Sequence, residues 1–114
     1  MQRLYHGTSI LKALKLKAGG SYRRPLYVTR YRNLAALYAF ITAAEQDSTP
    51  SVVVVHTNKK LHKDLEHAPI PSDKAYYIEE GIEPSEVVGI QTNPHWQTLF
   101  DEYKKTGIVD EELL

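Results

Sequence analysis

The chain has 114 residues, enough for one compact domain, and its 14 Lys+Arg are matched by 14 Asp+Glu. That balance argues neither for nor against an anionic partner, so bulk electrostatic capture of nucleic acid is not expected, although a local basic patch remains compatible with it. The lack of Cys excludes a disulfide framework and thiolate metal sites and fits a reducing, cytoplasmic setting. Met1-Gln2-Arg3-Leu4-Tyr5-His6 is not a charged start followed by a long apolar run, so no signal peptide is expected. No apolar stretch approaches the roughly 20 residues of a membrane span, and no membrane partner is expected.

Short elements alternate along the chain. Arg3 to His6 reads as a strand, and Ser9 to Leu16 as a helix capped by Ser9, with Ile10, Leu11 and Leu14 at helical spacing and Gly19-Gly20 as its stop. Leu26 to Thr29 is a strand. Asn33 to Glu45 is the clearest helix, with Leu34, Leu37, Tyr38 and Ile41 on one face. Ser51 to Thr57 holds the run Val52-Val53-Val54-Val55, typical of a strand buried on both faces. Asn58 to Asp73 is polar, carries Pro69 and Pro71, and reads as a long loop. Lys74 to Glu79 and Val87 to Gln91 are strands around a turn at Gly81 to Pro84. Trp96 to Lys105 is a last helix, followed by an acidic end expected to fray. The expectation is a single small α+β domain.

Two segments carry chemistry. Tyr5-His6-Gly7-Thr8-Ser9 puts a His and two hydroxyls around a Gly at the end of a strand. Leu26-Tyr27-Val28-Thr29 ends another strand in an aromatic and a hydroxyl. A His, a Gly backbone and aromatics suit a flat polar ring and a ribose. Taken singly, each residue has a plainer role: Thr8-Ser9 caps a helix, Tyr38 shares a core face with Leu34 and Ile41, and Tyr27 is a β-former. Four Arg (Arg23, Arg24, Arg30 and Arg32) fall within ten residues around the second strand, a solvated rim or a phosphate site. His62 and His67 stand at i,i+5, a spacing that puts the rings on different faces of a helix or a strand, so no metal site is expected.

In order and spacing, Tyr5-His6-Gly7-Thr8-Ser9, Leu26-Tyr27-Val28-Thr29 and Ala35-Ala36-Leu37-Tyr38-Ala39 resemble ADP-ribosyltransferase domains of the His-Tyr-Glu type, the group of poly-ADP-ribose polymerases and many bacterial toxins. Tyr27 and Tyr38 are eleven residues apart, as in that family. Tyr76-Tyr77-Ile78 through Ile82-Glu83-Pro84-Ser85-Glu86-Val87-Val88-Gly89-Ile90 looks like its last strands and the Pro-containing turn between them. The likeness covers residues 3 to 91, with the C-terminal helix beyond it.

The resemblance implies a small split β core, mostly antiparallel with flanking helices, and NAD as substrate in the cleft between its halves. It implies that His6 binds ribose hydroxyls, one ring nitrogen donating and one accepting. It implies that Gly7 presents its backbone to the carboxamide, where a side chain would block approach, and that Thr8 and Thr29 add hydroxyls. Tyr27 and Tyr38 would sandwich the nicotinamide. The macromolecular acceptor, protein or nucleic acid, is unnamed, and the likeness to toxins implies a phage or defence effector and a neutralising partner protein.

One position departs from the family. The transfer needs an acid that steadies developing positive charge on the ribose and positions the acceptor. The family's Glu heads the penultimate strand, which here falls at Lys74 or Ala75. Asp73, two residues before Ala75 and on the same parity of an extended strand, is the candidate acid from sequence. Without an acid, the same fold serves as an NAD-, ADP-ribose- or partner-binding module. A further relative is the RNA 2′-phosphotransferases, which use basic residues but tend to carry a His where Tyr27 stands.

Overall fold

The computed structural model describes residues 1–21, 24–64 and 73–114. Arg23, His67, Pro69 and Pro71, used above, lie outside the described residues. Among the described residues six strands and three α-helices follow in chain order: β1 Gln2–Ser9, α1 Ile10–Gly19, β2 Leu26–Thr29, α2 Arg32–Glu45, β3 Pro50–Thr57, β4 His62–Lys63, β5 Ala75–Ile78, β6 Val87–Gln91 and α3 Trp96–Thr106. The strands form one sheet, ordered β4-β5-β2-β1-β3-β6, and each neighbouring pair is antiparallel. The fold is α+β. No helix among the described residues is long and apolar enough to cross a membrane.

Alternation along β1 divides the core into two layers. Leu4 packs with Ala13 of α1, Leu26, Val28, Val53, Val55 and Ile78 on one side. Tyr5 packs on the other side against the cluster that α2 and α3 build from alanines, Phe40, Trp96 and Phe100. Val52, Val53, Val54 and Val55 are all buried, as a β-branched run between two layers should be. Ser9 caps α1 by accepting from the Lys12 amide, and Gly20 ends it at φ +68. A Cβ on Gly20 would also meet the Ile82 carbonyl oxygen at 2.4 Å. The chain after α1 is tied to the turn before β6: Ser21 N donates to Ile82 O, and Ile82 N donates to Ser21 Oγ.

Several expectations are corrected. The first strand runs on to Ser9, past His6, because it pairs along its whole length with β3, from Gln2↔Thr57 to Ser9↔Pro50. The face that α2 buries most completely is its alanine side, Ala35, Ala36, Ala39 and Ala43, while Leu37 and Ile41 are only partly buried. The segment after β3 contains a strand, β4, too short to leave a periodic signature. The acidic end is docked: Glu111–Leu113 form a 3-10 turn, Leu114 is buried, and its carbonyl accepts from Arg32 and the Trp96 indole.

Candidate functional site

The sheet is thin at one place. β1 and β2 are paired at a single register position, Tyr5↔Thr29, whereas β1 and β3 share eight. Beyond Tyr5 the strands part, and the His6 imidazole occupies the gap, hydrogen-bonded through Nδ1 to the Tyr27 carbonyl oxygen. A carbonyl only accepts, so Nδ1 carries the hydrogen. In the neutral ring Nε2 is then left as an acceptor. Burial pushes the His6 pKa below 6.5; the Tyr27 bond works against that and Lys12 adds to it. The ring is therefore neutral at pH 7. One of its two nitrogens is spent on the protein, so a bound hydroxyl meets an acceptor only, not the donor–acceptor pair expected from the sequence.

His6 and Thr8 share Leu4's side of β1 and line a cleft of about 390 Å³ between the sheet, α1 and the chain after it. Lys12 and Lys15 of α1 and Arg24 give it three cations, and Ser21 adds a hydroxyl to that of Thr8. Leu16, Pro25 and Leu26 supply apolar wall. Cations, hydroxyls and apolar surface together suit a phosphorylated ligand with a flat or sugar component. Of the four Arg singled out in the sequence, Arg24 alone among the described ones lines this cleft. Arg32 is tied to Gln91 and Leu114 over the Trp96 ring, and Arg30 reaches Gln2 and lies over Tyr76. Those two are structural, so the four do not form one phosphate site. A smaller hollow of about 210 Å³ between the start of β3 and the start of α3 has no charged side chain in its wall.

Gly7 faces the other layer. A Cβ there would fall 1.8 Å from the Ala35 carbonyl oxygen and 2.6 Å from the Ala39 amide nitrogen. The glycine is therefore required by the close crossing of α2 over β1, which also explains the alanines. Steric access for a ligand is not needed to account for it.

Tyr27, Tyr77 and His62 form a cross-strand row on the α2 side of the sheet, through the register pairs Tyr27↔Tyr77 and His62↔Tyr77. Tyr27 and Tyr77 have ring centroids 6.3 Å apart, and His62 stacks on Tyr77 at 5.1 Å and 21°. Tyr27 is 37% exposed. Tyr38, from α2, lies on the same side of the sheet at 8% exposure, and burial first, then Asp64 and Glu111, push its phenol above 10.0. Thr29, by contrast, is closed off, with its hydroxyl accepting from the Tyr31 amide at the start of α2.

Asp73 is exposed in the turn before β5, outside the strand. Ala75 heads β5, opposite Thr29. Asp64 takes a place that the sequence did not assign it. It follows β4, its amide donates to Ala75 O at 3.0 Å, and it is 2% exposed. Local pattern gave it no signal, since it sits in a polar stretch. Only its parity with His62, once β4 and β5 are paired, reveals its place. No protein-family model matches this chain, and no curated protein matches its sequence.

Proposed function

We propose that this domain binds NAD and transfers its ADP-ribose to a macromolecular acceptor. The observation that carries the reading is His6 in the gap between β1 and β2. There it joins the Tyr27 strand to the cleft lined by Lys12, Lys15 and Arg24. The cations of the cleft suit the pyrophosphate, and Nε2 of a neutral His6 suits a ribose hydroxyl. Tyr27 and Tyr38 stand on the opposite face of the sheet from this cleft, so they suit the cationic nicotinamide only of an NAD that passes beside His6 where β1 and β2 part; attraction of that ring to an aromatic face is worth about 0.5–2 kcal/mol. In the transfer, the bond from ribose C1′ to the nicotinamide nitrogen breaks and its electron pair leaves with nicotinamide. An acceptor oxygen or nitrogen bonds C1′ and gives up a proton. NAD is an intracellular metabolite, so the reading places the protein in the cytoplasm. A second reading, a nucleotide-binding module without turnover, is favoured by Ala75 at the head of β5, where the family that the chain resembles carries a Glu, and by the exposure of Asp73 in the turn before it.

The test is calorimetric titration with a non-hydrolysable NAD analogue, using the parent, His6→Ala and Tyr38→Ala. Saturable binding weakened tenfold or more by each substitution supports the nucleotide site. No binding by the folded parent at millimolar analogue overturns it. Binding without nicotinamide release from NAD selects the module.

A further inference from the structure

We propose that α1 of one copy of this chain docks into an apolar groove on a second copy, so that the protein assembles head to tail.

The helix presents an outward stripe. Leu11, Leu14 and Ala18 stand at i, i+3 and i+7 of α1, turned away from the buried Ala13. Leu11 is 64% exposed and Leu14 51%. A single exposed leucine is ordinary, but two at i, i+3 are the anchors of a helix that enters a groove. Lys15 flanks the stripe on the side of the cleft and Lys17 on the other side. With Lys12, α1 holds three lysines and no acid.

The groove lies across the sheet. Leu37 and Ile41 of α2, Tyr103 of α3 and Gly107, Ile108 and Val109 after it enclose about 280 Å³. Leu37 and Ile41 belong to the face that periodicity assigns to the core, yet both are only partly buried, and Ile108 is 75% exposed. The rim is acidic. Asp110, Glu111 and Glu112 follow the groove directly, and Glu45 stands one turn beyond Ile41; all four are exposed. Glu111 is near enough to α2 to act on the Tyr38 phenol. Lys104 and Lys105 end α3 nearby, but Lys104 is held by Asp101 at 3.6 Å, and Lys105 alone leaves the rim net negative.

Charge and shape thus select a second copy as the occupant. The zero net charge of the chain conceals a basic leucine stripe and an acidic apolar groove. The two are on opposite sides of the sheet, since Ala13 packs with Leu4 whereas Leu37, Tyr103 and Val109 pack with Phe40 and Trp96. One neighbour cannot take both, so each copy gives its helix to one neighbour and its groove to another. A ten-residue helix covers less than a standard interface of about 1,600 Å², so the contact should be micromolar or weaker.

The experiment is sedimentation from micromolar to near-millimolar protein, each variant being checked for folding by thermal unfolding. The parent should rise past the mass of two chains and dissociate as salt is added. Leu11→Glu/Leu14→Glu and Ile108→Lys should each stay single chains. Their equal mixture should reach two chains and stop, because one brings an intact groove and the other an intact helix. Lys17→Glu should weaken assembly about threefold, the size of one exposed ion pair. Should the double variant fail to fold, Leu14→Glu takes its place. A parent that stays a single chain or stops at two chains overturns the contact. So does a mixture that stays monomeric while the parent assembles. A parent that sediments alone yet pellets with phosphatidylserine–phosphatidylcholine vesicles through Leu11 and Leu14 gives the stripe to an anionic membrane surface and overturns it too.

Discussion

The two halves of the sheet differ in how they are held. The β1–β3–β6 half has eight register pairs between β1 and β3, a four-valine run buried on both sides, and α2 in backbone contact across Gly7. The β2–β5–β4 half pairs over four positions and then two, and it displays Tyr27, Tyr77 and His62. Backbone pairing between them is limited to one register position, and the His6–Tyr27 and Arg30–Gln2 hydrogen bonds and the core shared by Leu4, Leu26, Val28 and Val53 complete the junction. The well-packed half fixes the position of His6. The sparse half is where the partly exposed rings stand. Stability and binding should therefore be lost by different substitutions.

The sharpest way to break this comparison is Gly7→Ala. The added methyl overlaps backbone that cannot rotate away, so α2 must lift from β1, at a cost of about 3 kcal/mol or more, the upper range for overpacking. Gly19→Ala is the control, because nothing lies within 4 Å of the added atom. In a helix it should be neutral or stabilise by up to about 1 kcal/mol. Urea unfolding of both reads the difference. A Gly7→Ala protein of parental stability would remove the close crossing from the argument.

Next in size is Glu86, which ties the turn before β6 to the end of β3. Its carboxylate accepts from Lys59 Nζ at 2.8 Å, from the Thr57 hydroxyl and from the Glu83 amide at 2.9 Å. Burial alone would raise its pKa, but these hydrogen bonds outweigh burial and hold it below 4.5. Its contribution is therefore complete above pH 4.5 and fades as pH falls below that value. Glu86→Gln should cost about 1.5–3 kcal/mol at pH 7, the range for hydrogen bonds to charged groups, and progressively less in acid. Thermal unfolding at pH 7 and pH 4 checks both size and sign.

Legibility did not follow that division: Leu26 to Thr29 of the sparse half was read at its observed bounds, whereas the extent of β1 and the buried face of α2 were not. Val52 to Val55 announces a doubly buried strand because β-branching and hydrophobicity are local properties. Ser9 and Gly20 mark the limits of α1 for local reasons too. What the sequence hid depends on contacts across the sheet. The alanine side of α2 is required by Gly7, a residue that reads equally well as a ligand contact. β4 has two residues, and Asp64 gains its place through pairing with β5, which no spacing along the chain encodes. His6 was visible as a polar residue at a strand end, but the use of its Nδ1 on the Tyr27 carbonyl was not. Of the Arg cluster, compact in sequence, the described Arg24, Arg30 and Arg32 are dispersed in space, with Arg32 turned to the C-terminal segment.

His6 gives the junction between the halves its own titration. Its pKa lies below 6.5 in the folded chain and at 6.5 when unfolded, so between those values the unfolded chain binds the extra proton. Stability from this group is then complete above pH 6.5 and declines as pH drops towards the folded pKa, levelling below it. His6→Gln should lack that slope. Chemical unfolding of parent and variant between pH 5 and pH 8 measures it. A parent curve that rises as pH falls through this window would mean that the ring is charged in the fold.

The smallest expected change in stability is the most telling about function. Tyr77→Leu removes the middle of the aromatic row, between Tyr27 and His62, yet cross-strand pairs of this kind contribute only about 0.2–1 kcal/mol each. The rings are partly exposed, so little core is lost and the unfolding midpoint should barely move. Binding of the NAD analogue should nevertheless weaken severalfold, because Tyr27 loses the neighbour that braces its ring. If instead stability falls as far as it does for Gly7→Ala while binding is unchanged, the row is core, and the division of labour between the two halves fails where it was meant to be strongest.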